Sequence, residues 1–270
     1  MATRDEKAKA LKQLHEGEQA FIVPNPWDAG SARLLEALGF RALATTSAGF
    51  AYTLGRRDGG VTLEDALAHC RALADATDVP VTADLENGFA SSPDAVADTI
   101  RKAAQTGIVG GSIEDYDPEG DRIYDLGHAV ERVQAAVEAA RELPFPFALT
   151  ARAEGRLRKN DDLNTVIKRL QAFQSAGADV LYAPGLTTLD EVRRVVEAVD
   201  RPVNVLASML YPATVAELAD AGARRISIGG ALCYAAMSPI LKAGKEMLND
   251  GSFSWIETIV SPSELRDVLE

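Results

Sequence analysis

Residues 79–88 read Val79-Pro80-Val81-Thr82-Ala83-Asp84-Leu85-Glu86-Asn87-Gly88. A short apolar run opens beside a proline, where a missing N–H costs a strand least, and stops abruptly at two acids and a glycine. On either side, residues 63–76 and 93–105 repeat apolar positions at i, i+3, i+4 and i+7, the period of an amphipathic helix. Working outward, the same unit recurs. Apolar runs at 21–24, 42–45, 79–83, 110–114, 147–151, 180–182, 203–206 and 225–228 predict strands. Helical patterns at 31–38, 63–76, 93–105, 127–141, 163–175, 189–198, 215–220 and 232–248 alternate with them. Gly39, Gly107, Gly177 and Gly222 each follow a helical stretch, where a left-handed residue closes a helix cheaply.

Strict alternation requires parallel strands joined by helical crossovers. Eight such units predict closure into a (β/α)8 TIM barrel rather than an open sheet. No Pro-, Gly- or Ser-rich linker divides the chain, so residues 1–270 are expected to form one domain. Its core runs from about 21 to 249, and a C-terminal extension, 250–270, carries Phe253 and Trp255, which need an apolar surface on the barrel or on a neighbouring subunit.

The 270 residues carry 28 Lys+Arg against 40 Asp+Glu, a formal net charge of −12. That balance argues against binding nucleic acid or an anionic membrane surface, both of which need a basic face. No apolar run reaches the roughly 18 residues of a membrane span, and the charged start, 1–15, is not a signal peptide. Cys70 and Cys233 form neither a metal spacing nor a disulfide framework and are expected to be packing thiols. His15, His69 and His128 fall in or beside helices and are expected at the surface or at helix ends. These features point to a cytoplasmic protein.

In such a barrel the chemistry lies at the C-terminal ends of the strands. Acids gather there: Asp58 in the loop after the second strand, Asp84 and Glu86 after the third, Glu114 after the fourth. Carboxylates without His or Cys suit a hard cation, so Asp84, Glu86 and Glu114 are candidate ligands for Mg²⁺ or Mn²⁺. Arg152, ending the fifth strand, is the strand-end cation among these acids and suits a substrate carboxylate, or a pair with Glu154 or Glu114. Thr45, Thr46 and Ser47 offer hydroxyls and N–H groups for the same carboxylate, although turn capping would use the same residues. Asn25, after the first strand, and Ser208, after the seventh, complete the candidate substrate-binding set.

Together these residues resemble the isocitrate lyase/phosphoenolpyruvate mutase superfamily, across nearly everything from Phe21 to about Leu248. The resemblance is carried by Pro24-Asn25-Pro26-Trp27-Asp28-Ala29-Gly30-Ser31-Ala32, by Gly55 with Asp58, and by Ala83-Asp84-Leu85-Glu86-Asn87-Gly88. Ser112-Ile113-Glu114-Asp115 and Ala151-Arg152-Ala153-Glu154 complete it. It implies a barrel whose C-terminal helix is swapped between paired subunits of a homotetramer. It also implies Mg²⁺-dependent chemistry on small 2-oxo acids through an enolate. Asp84 then matches the principal metal ligand, with Glu86 and Glu114 acting mostly through metal-bound water. Asp58 matches the acid near the metal, Arg152 the arginine that contacts substrate, and Thr45 to Ser47 the carboxylate-holding segment.

The departures narrow the reaction. Isocitrate and methylisocitrate lyases carry a Cys-containing lid after the fourth strand. Here that region, 114–125, has neither Cys nor Lys, and the Lys and Asn-Ser of the mutase and phosphonopyruvate hydrolase lids are missing too. Tyr124, Tyr116 and Arg122 are the lid residues able to bring a proton or a charge, and Tyr124 is the candidate catalytic one. After the sixth strand, Pro184 stands where relatives place Glu or His. The resulting expectation is a Mg²⁺-dependent lyase that cleaves a C–C bond in, or decarboxylates, a small 2-oxo or 2-hydroxy acid. The alternatives are a P–C phosphonomutase or phosphonopyruvate hydrolase, and a barrel that binds a 2-oxo acid without turnover.

Overall fold

The computed structural model describes residues 2–158 and 161–269. Eight parallel strands form one curled sheet: β1 (Phe21–Ile22), β2 (Leu43–Ala44), β3 (Val81–Asp84), β4 (Gly110–Glu114), β7 (Ala148–Arg152), β8 (Val180–Tyr182), β9 (Val203–Leu206) and β10 (Arg225–Ser227). Their order is β1-β10-β9-β8-β7-β4-β3-β2. The Ala44 N–H donates to the Pro24 carbonyl at 3.0 Å, joining β2 to the segment after β1 and closing the ring. The numbering gap is a small antiparallel hairpin, β5 (Tyr116–Asp117) and β6 (Arg122–Ile123), raised on the loop after β4.

Helices α2 (Ala29–Ala37), α4 (Leu63–Ala76), α5 (Pro93–Ala104), α6 (Leu126–Arg141), α7 (Leu163–Ser175), α8 (Leu189–Glu197) and α9 (Val215–Asp220) are the crossovers, within one or two residues of the predicted spans. Local chemistry fixes their starts. Thr62 and Asp65 form a reciprocal capping box on α4, and Ser92 caps α5 with Pro93 in its first turn. The glycines at 39, 107, 177 and 222 all have φ between 93° and 100°, so each makes the predicted left-handed exit.

Three helices were not foreseen. α1 (Arg4–Glu16) turns only Lys7, Ala8, Leu11 and His15 inward, so its charged sequence hides the narrow stripe that seats it on the barrel. α3 (Ser47–Thr53) is a short helix in the loop after β2, and α11 (Pro262–Leu269) packs against α2. The predicted last helix is α10 (Ala231–Asn249), whose Ile240, Leu241 and Leu248 are exposed along with Phe253 beyond it. The apolar surface expected to cover Phe253 is therefore not supplied by its own barrel.

The histidines correct another expectation. His15 is at a helix end, in the last turn of α1, but buried, and His69 is buried in the middle of α4 rather than at the surface or a helix end. His15 meets Phe21 edge-on at 5.3 Å, and burial, with the Arg225 charge nearby, lowers its pKa to about 3. His69 stacks on Phe50 at 3.9 Å with Nε2 against the Trp27 carbonyl at 3.0 Å. Only His128 is partly open, beside the Ser91 carbonyl. Both cysteines are free and buried. Among the described residues no helix is long and apolar enough to cross a membrane.

Candidate active site

The C-terminal ends of the strands surround a cavity of about 560 Å³. Asp58, Asp84, Glu86 and Glu114 line it together with Arg152, Thr46, Ser47 and Ser208. The structure thus brings together eight of the eleven residues singled out from sequence. A cavity of equal volume lies at the opposite end, beside α1, but its Arg141 and Asp179 are spent on each other at 2.6 Å.

Asp84, ending β3, is held by its neighbours: its Oδ2 accepts from the Ser47 hydroxyl at 2.8 Å and the Ser47 N–H at 3.2 Å. Its own N–H donates to Thr45 Oγ1 at 2.8 Å. Two residues on, Glu86 sits at φ 48°, in the left-handed region that a non-glycine residue enters at a cost. Its Oε1 is buried with no hydrogen-bond partner. Burial, then the charges of Asp84 and Asp58, lift its pKa to about 7. Glu114 is pushed up in the same sense, by burial foremost, and Asp58 by burial and Asp84.

Arg152 offsets this crowding. Its guanidinium is paired with Glu154, lies 3.4 Å from Glu114 and 3.7 Å from Asp84, and sits 5.3 Å from the Tyr182 ring centroid. Burial disfavours its charge, but Glu154 and Glu114 outweigh that and bind its proton more firmly than usual. The two readings of Arg152, structural pair and cavity cation, therefore both hold.

Among the described residues no three His, Cys, Asp or Glu side chains converge as a ready-made metal cluster. The acids ring the cavity instead, an arrangement suited to a hard cation that keeps its waters and takes few direct protein ligands. The orphaned Glu86 oxygen beside Asp84 and Asp58 fits such an ion. Asp84, Glu86 and Glu114 are the residues that would hold it.

Three of the eleven do not line this cavity. Asn25 is a brace: Nδ2 donates to the Thr45 carbonyl at 3.1 Å, while Oδ1 accepts from the Ile228 and Gly229 N–H groups at 2.9 Å each. Thr45 is buried, with Oγ1 committed to the Asp84 N–H. Both line a small cavity of about 60 Å³ shared with Thr46, Asp84 and Arg152, and tie β1, β2, β3 and β10 together. Tyr124 does not line the cavity either. Its ring is buried under the Arg132 guanidinium at 4.3 Å, because the segment leaving the hairpin packs down onto α6. Tyr116 is the hairpin residue that faces the site, its ring 3.8 Å below the Arg158 guanidinium and its hydroxyl 2.5 Å from Asp121.

Arg158 was missed. It reaches Glu154 at 3.4 Å and Glu114 at 3.9 Å. The one signal for it was its position four residues after Glu154, in a stretch with no strand or helix to point it. Tyr182 and Tyr234 also line the cavity and were not singled out.

Two supports lie beneath. The completely buried Arg132 donates to the carbonyls of Glu114 (3.1 Å), Ala90 (3.1 Å) and Asn87. It thereby clamps the loop carrying Glu86 to the strand carrying Glu114. Arg132→Lys keeps the charge but not the fork, and outer-shell losses of this kind cost about 10–100-fold in metal affinity. Calorimetric titration with Mg²⁺ checks this, and unchanged affinity in a folded variant refutes the clamp. The second support is Gly49 in α3. A Cβ there would lie 2.7 Å from Thr46 Cγ2, 3.2 Å from Cys233 Cβ and 3.3 Å from Trp27 Cβ, so α3 rests directly on the first turn of α10.

Fold and site together define a (β/α)8-barrel enzyme. The phosphoenolpyruvate phosphomutase family model matches residues 11–248, and the chain belongs to that family, within the isocitrate lyase/phosphoenolpyruvate mutase superfamily. A solved protein from Burkholderia cenocepacia J2315, described by class alone as a lyase/mutase, is 48% identical. That comparison covers 98% of this chain and 95% of the other, with a TM-score of 0.95. The 2,3-dimethylmalate lyase of Eubacterium barkeri is 27% identical over 97% of this chain and 93% of its own. A Mycobacterium tuberculosis protein of uncharacterised activity is 30% identical over 82% of this chain and 81% of its own.

Proposed function

We propose that the protein is a Mg²⁺-dependent (or Mn²⁺-dependent) lyase that breaks a C–C bond in, or decarboxylates, a small 2-oxo or 2-hydroxy carboxylic acid. The observation that carries this reading is one open cavity in which four carboxylates face two guanidiniums, with a buried Glu86 oxygen left without a partner. When bound, the cation supplies a Lewis acid for negative charge developing on the substrate's 2-oxygen. Arg152 orients a substrate carboxylate, and Thr46 and Ser47 flank the same position. Glu86, its pKa lifted to about 7, is suited to accept a hydroxyl proton near neutral pH, and Glu114 lines the same cavity. Tyr116 from the β5–β6 hairpin and Arg158 from the loop after β7 stack on each other at the cavity, where they limit the entry of water. Neither Cys70 nor Cys233 lines the cavity, so the chemistry does not draw on a thiol acid.

The exposed apolar residues of α10 and of the segment after it support assembly as a homotetramer with that helix exchanged between paired subunits. The two free, buried thiols suit a reducing, cytoplasmic setting. The net charge of −12 favours a small-molecule substrate over nucleic acid.

The test is NMR-monitored incubation with Mg²⁺ and, separately, oxaloacetate, 2-methylisocitrate, 2,3-dimethylmalate and phosphonopyruvate. Cleavage of a carbon acid to a 2-oxo acid or a shorter carboxylate is expected. Consumption of phosphonopyruvate alone, with phosphate or a phosphate ester as product, moves the protein to P–C chemistry. Ligand-induced stabilisation without turnover of any acid leaves a binding barrel.

A further inference from the structure

The cavity has two unlike halves. Its acids come from one arc of the barrel: Asp58 after β2, Asp84 and Glu86 at β3, Glu114 at β4. The opposite arc presents Leu206 at the end of β9, Ile228 after β10, and Ala231 and Tyr234 from the first turn of α10. Leu157, from the loop after β7, adjoins them. Among the described residues, no charged side chain lines the cavity from β8, β9, β10 or the segments that follow them, and Ser208 adds only a hydroxyl.

The cations are also accounted for. Arg152 lies within 3.7 Å of Asp84 and 3.4 Å of Glu114, and Arg158 within 3.4 Å of Glu154 and 3.9 Å of Glu114. Arg152 is oriented toward the acidic arc, and Arg158 toward the hairpin, over Tyr116. Among the described residues no guanidinium or ammonium remains for a carboxylate placed against the apolar arc. Such a group would lose its water facing Leu206 and Ile228 and would meet only uncharged partners, the hydroxyls of Ser208, Tyr182 and Tyr234 and the backbone at the start of α10.

We propose that the substrate is a mono- or dicarboxylate whose carbon skeleton bears an apolar branch directed at Leu206 and Ile228, and that tricarboxylates are rejected. This rests on the reading above, that Arg152 and the acidic arc hold the reacting 2-oxo or 2-hydroxy acid end. Selectivity then lies in the wall opposite the acids. An apolar pocket of this kind rewards one added methyl by about tenfold and discriminates more strongly against an unpaired charge.

Binding of unreactive analogues tests it without turnover. Titration calorimetry of the full chain with Mg²⁺ compares succinate, 2,2-dimethylsuccinate and propane-1,2,3-tricarboxylate. The expected order is 2,2-dimethylsuccinate about tenfold tighter than succinate, with the tricarboxylate weakest. Ile228→Ala should remove most of the methyl preference, and Leu206→Arg should raise the tricarboxylate above succinate. If either variant fails to fold, the ranking on the unaltered protein decides. A tricarboxylate that binds tightest, or no binding by any of the three, overturns the proposal. If 2-methylisocitrate is cleaved faster than 2,3-dimethylmalate, lyase function stands and this inference falls. If no carbon acid is cleaved but 2,2-dimethylsuccinate keeps its advantage, the pocket stands and the lyase reading falls.

Discussion

Arg152→Met is expected to lower kcat/KM by about 10³-fold and to destabilise the protein by about 3–5 kcal/mol. Both effects follow from the same contacts. The Arg152 side chain sits among Glu154, which is 0% exposed, Glu114 and Asp84. Deleting it strands carboxylates that can no longer reach water, and breaking a buried pair on one side costs more than the pair contributes when whole. Arg158, 3.4 Å from Glu154, compensates only in part. Arg152→Lys restores the charge but not the fork, so stability should recover further than turnover. The double variant Arg152→Met, Glu154→Gln separates the roles: stability returns with the unpaired acid removed, while activity does not. Chemical denaturation and steady-state kinetics on the best carbon acid read both. Near-normal turnover in a folded Arg152→Met protein would remove this residue from the chemistry.

The second expected result is a contribution of the acidic rim to stability that falls with rising pH and is rescued by Mg²⁺. Glu86 has a folded pKa of about 7 against an ordinary 4.5, and Glu114, Asp58 and Asp115 are shifted the same way. Between those values these groups hold more protons in the folded chain than in the unfolded one, so their contribution to stability decreases as pH climbs. For Glu86 alone the loss by pH 8 is on the order of 3 kcal/mol. The cation competes with these protons. Its apparent affinity therefore rises with pH up to about 7, and its stabilising effect is larger at pH 8 than at pH 5. Melting temperatures of metal-free protein from pH 5 to 8, with and without Mg²⁺, measure this. His15 and His69, buried with pKa values lowered to about 3 and about 4, add stability as pH rises toward 6.5, so the contribution of the acids is read as a difference between two proteins. Glu86→Gln should turn the metal-free slope upward, and a slope identical in the two proteins would contradict the crowding of acids described here.

The barrel was legible because its grammar is local. Alternating runs, capping residues such as Thr62 and Ser92, and glycine exits such as Gly107 and Gly222 each act over a few residues and agree with one another. The acidic rim was legible for a related reason: strand ends face one way, so residues at the ends of β3, β4 and β7 must converge. What failed was orientation within loops. Asn25 and Thr45 stand at strand ends, yet the neighbouring backbone takes up their hydrogen bonds, which a sequence does not display. Tyr124 follows the β5–β6 hairpin, and only the folded hairpin shows its ring turned under Arg132 while Tyr116 faces the cavity. Arg158 stands in a loop with no period to aim it. His69 was misplaced because a buried neutral imidazole resembles a surface one until its neighbour, Phe50, is known.

Gly49 leaves one more consequence. With Thr46, Trp27 and Cys233 all closed around the place a methyl group would take, the joint between α3 and α10 has no slack. On one side of that joint stand Ser47 and, through it, Asp84; on the other runs the long helix whose outer half is bare of its own barrel. The seat of α10 is therefore also the seat of the hydroxyl that aims Asp84, and a side chain placed at Gly49 would disturb both at once.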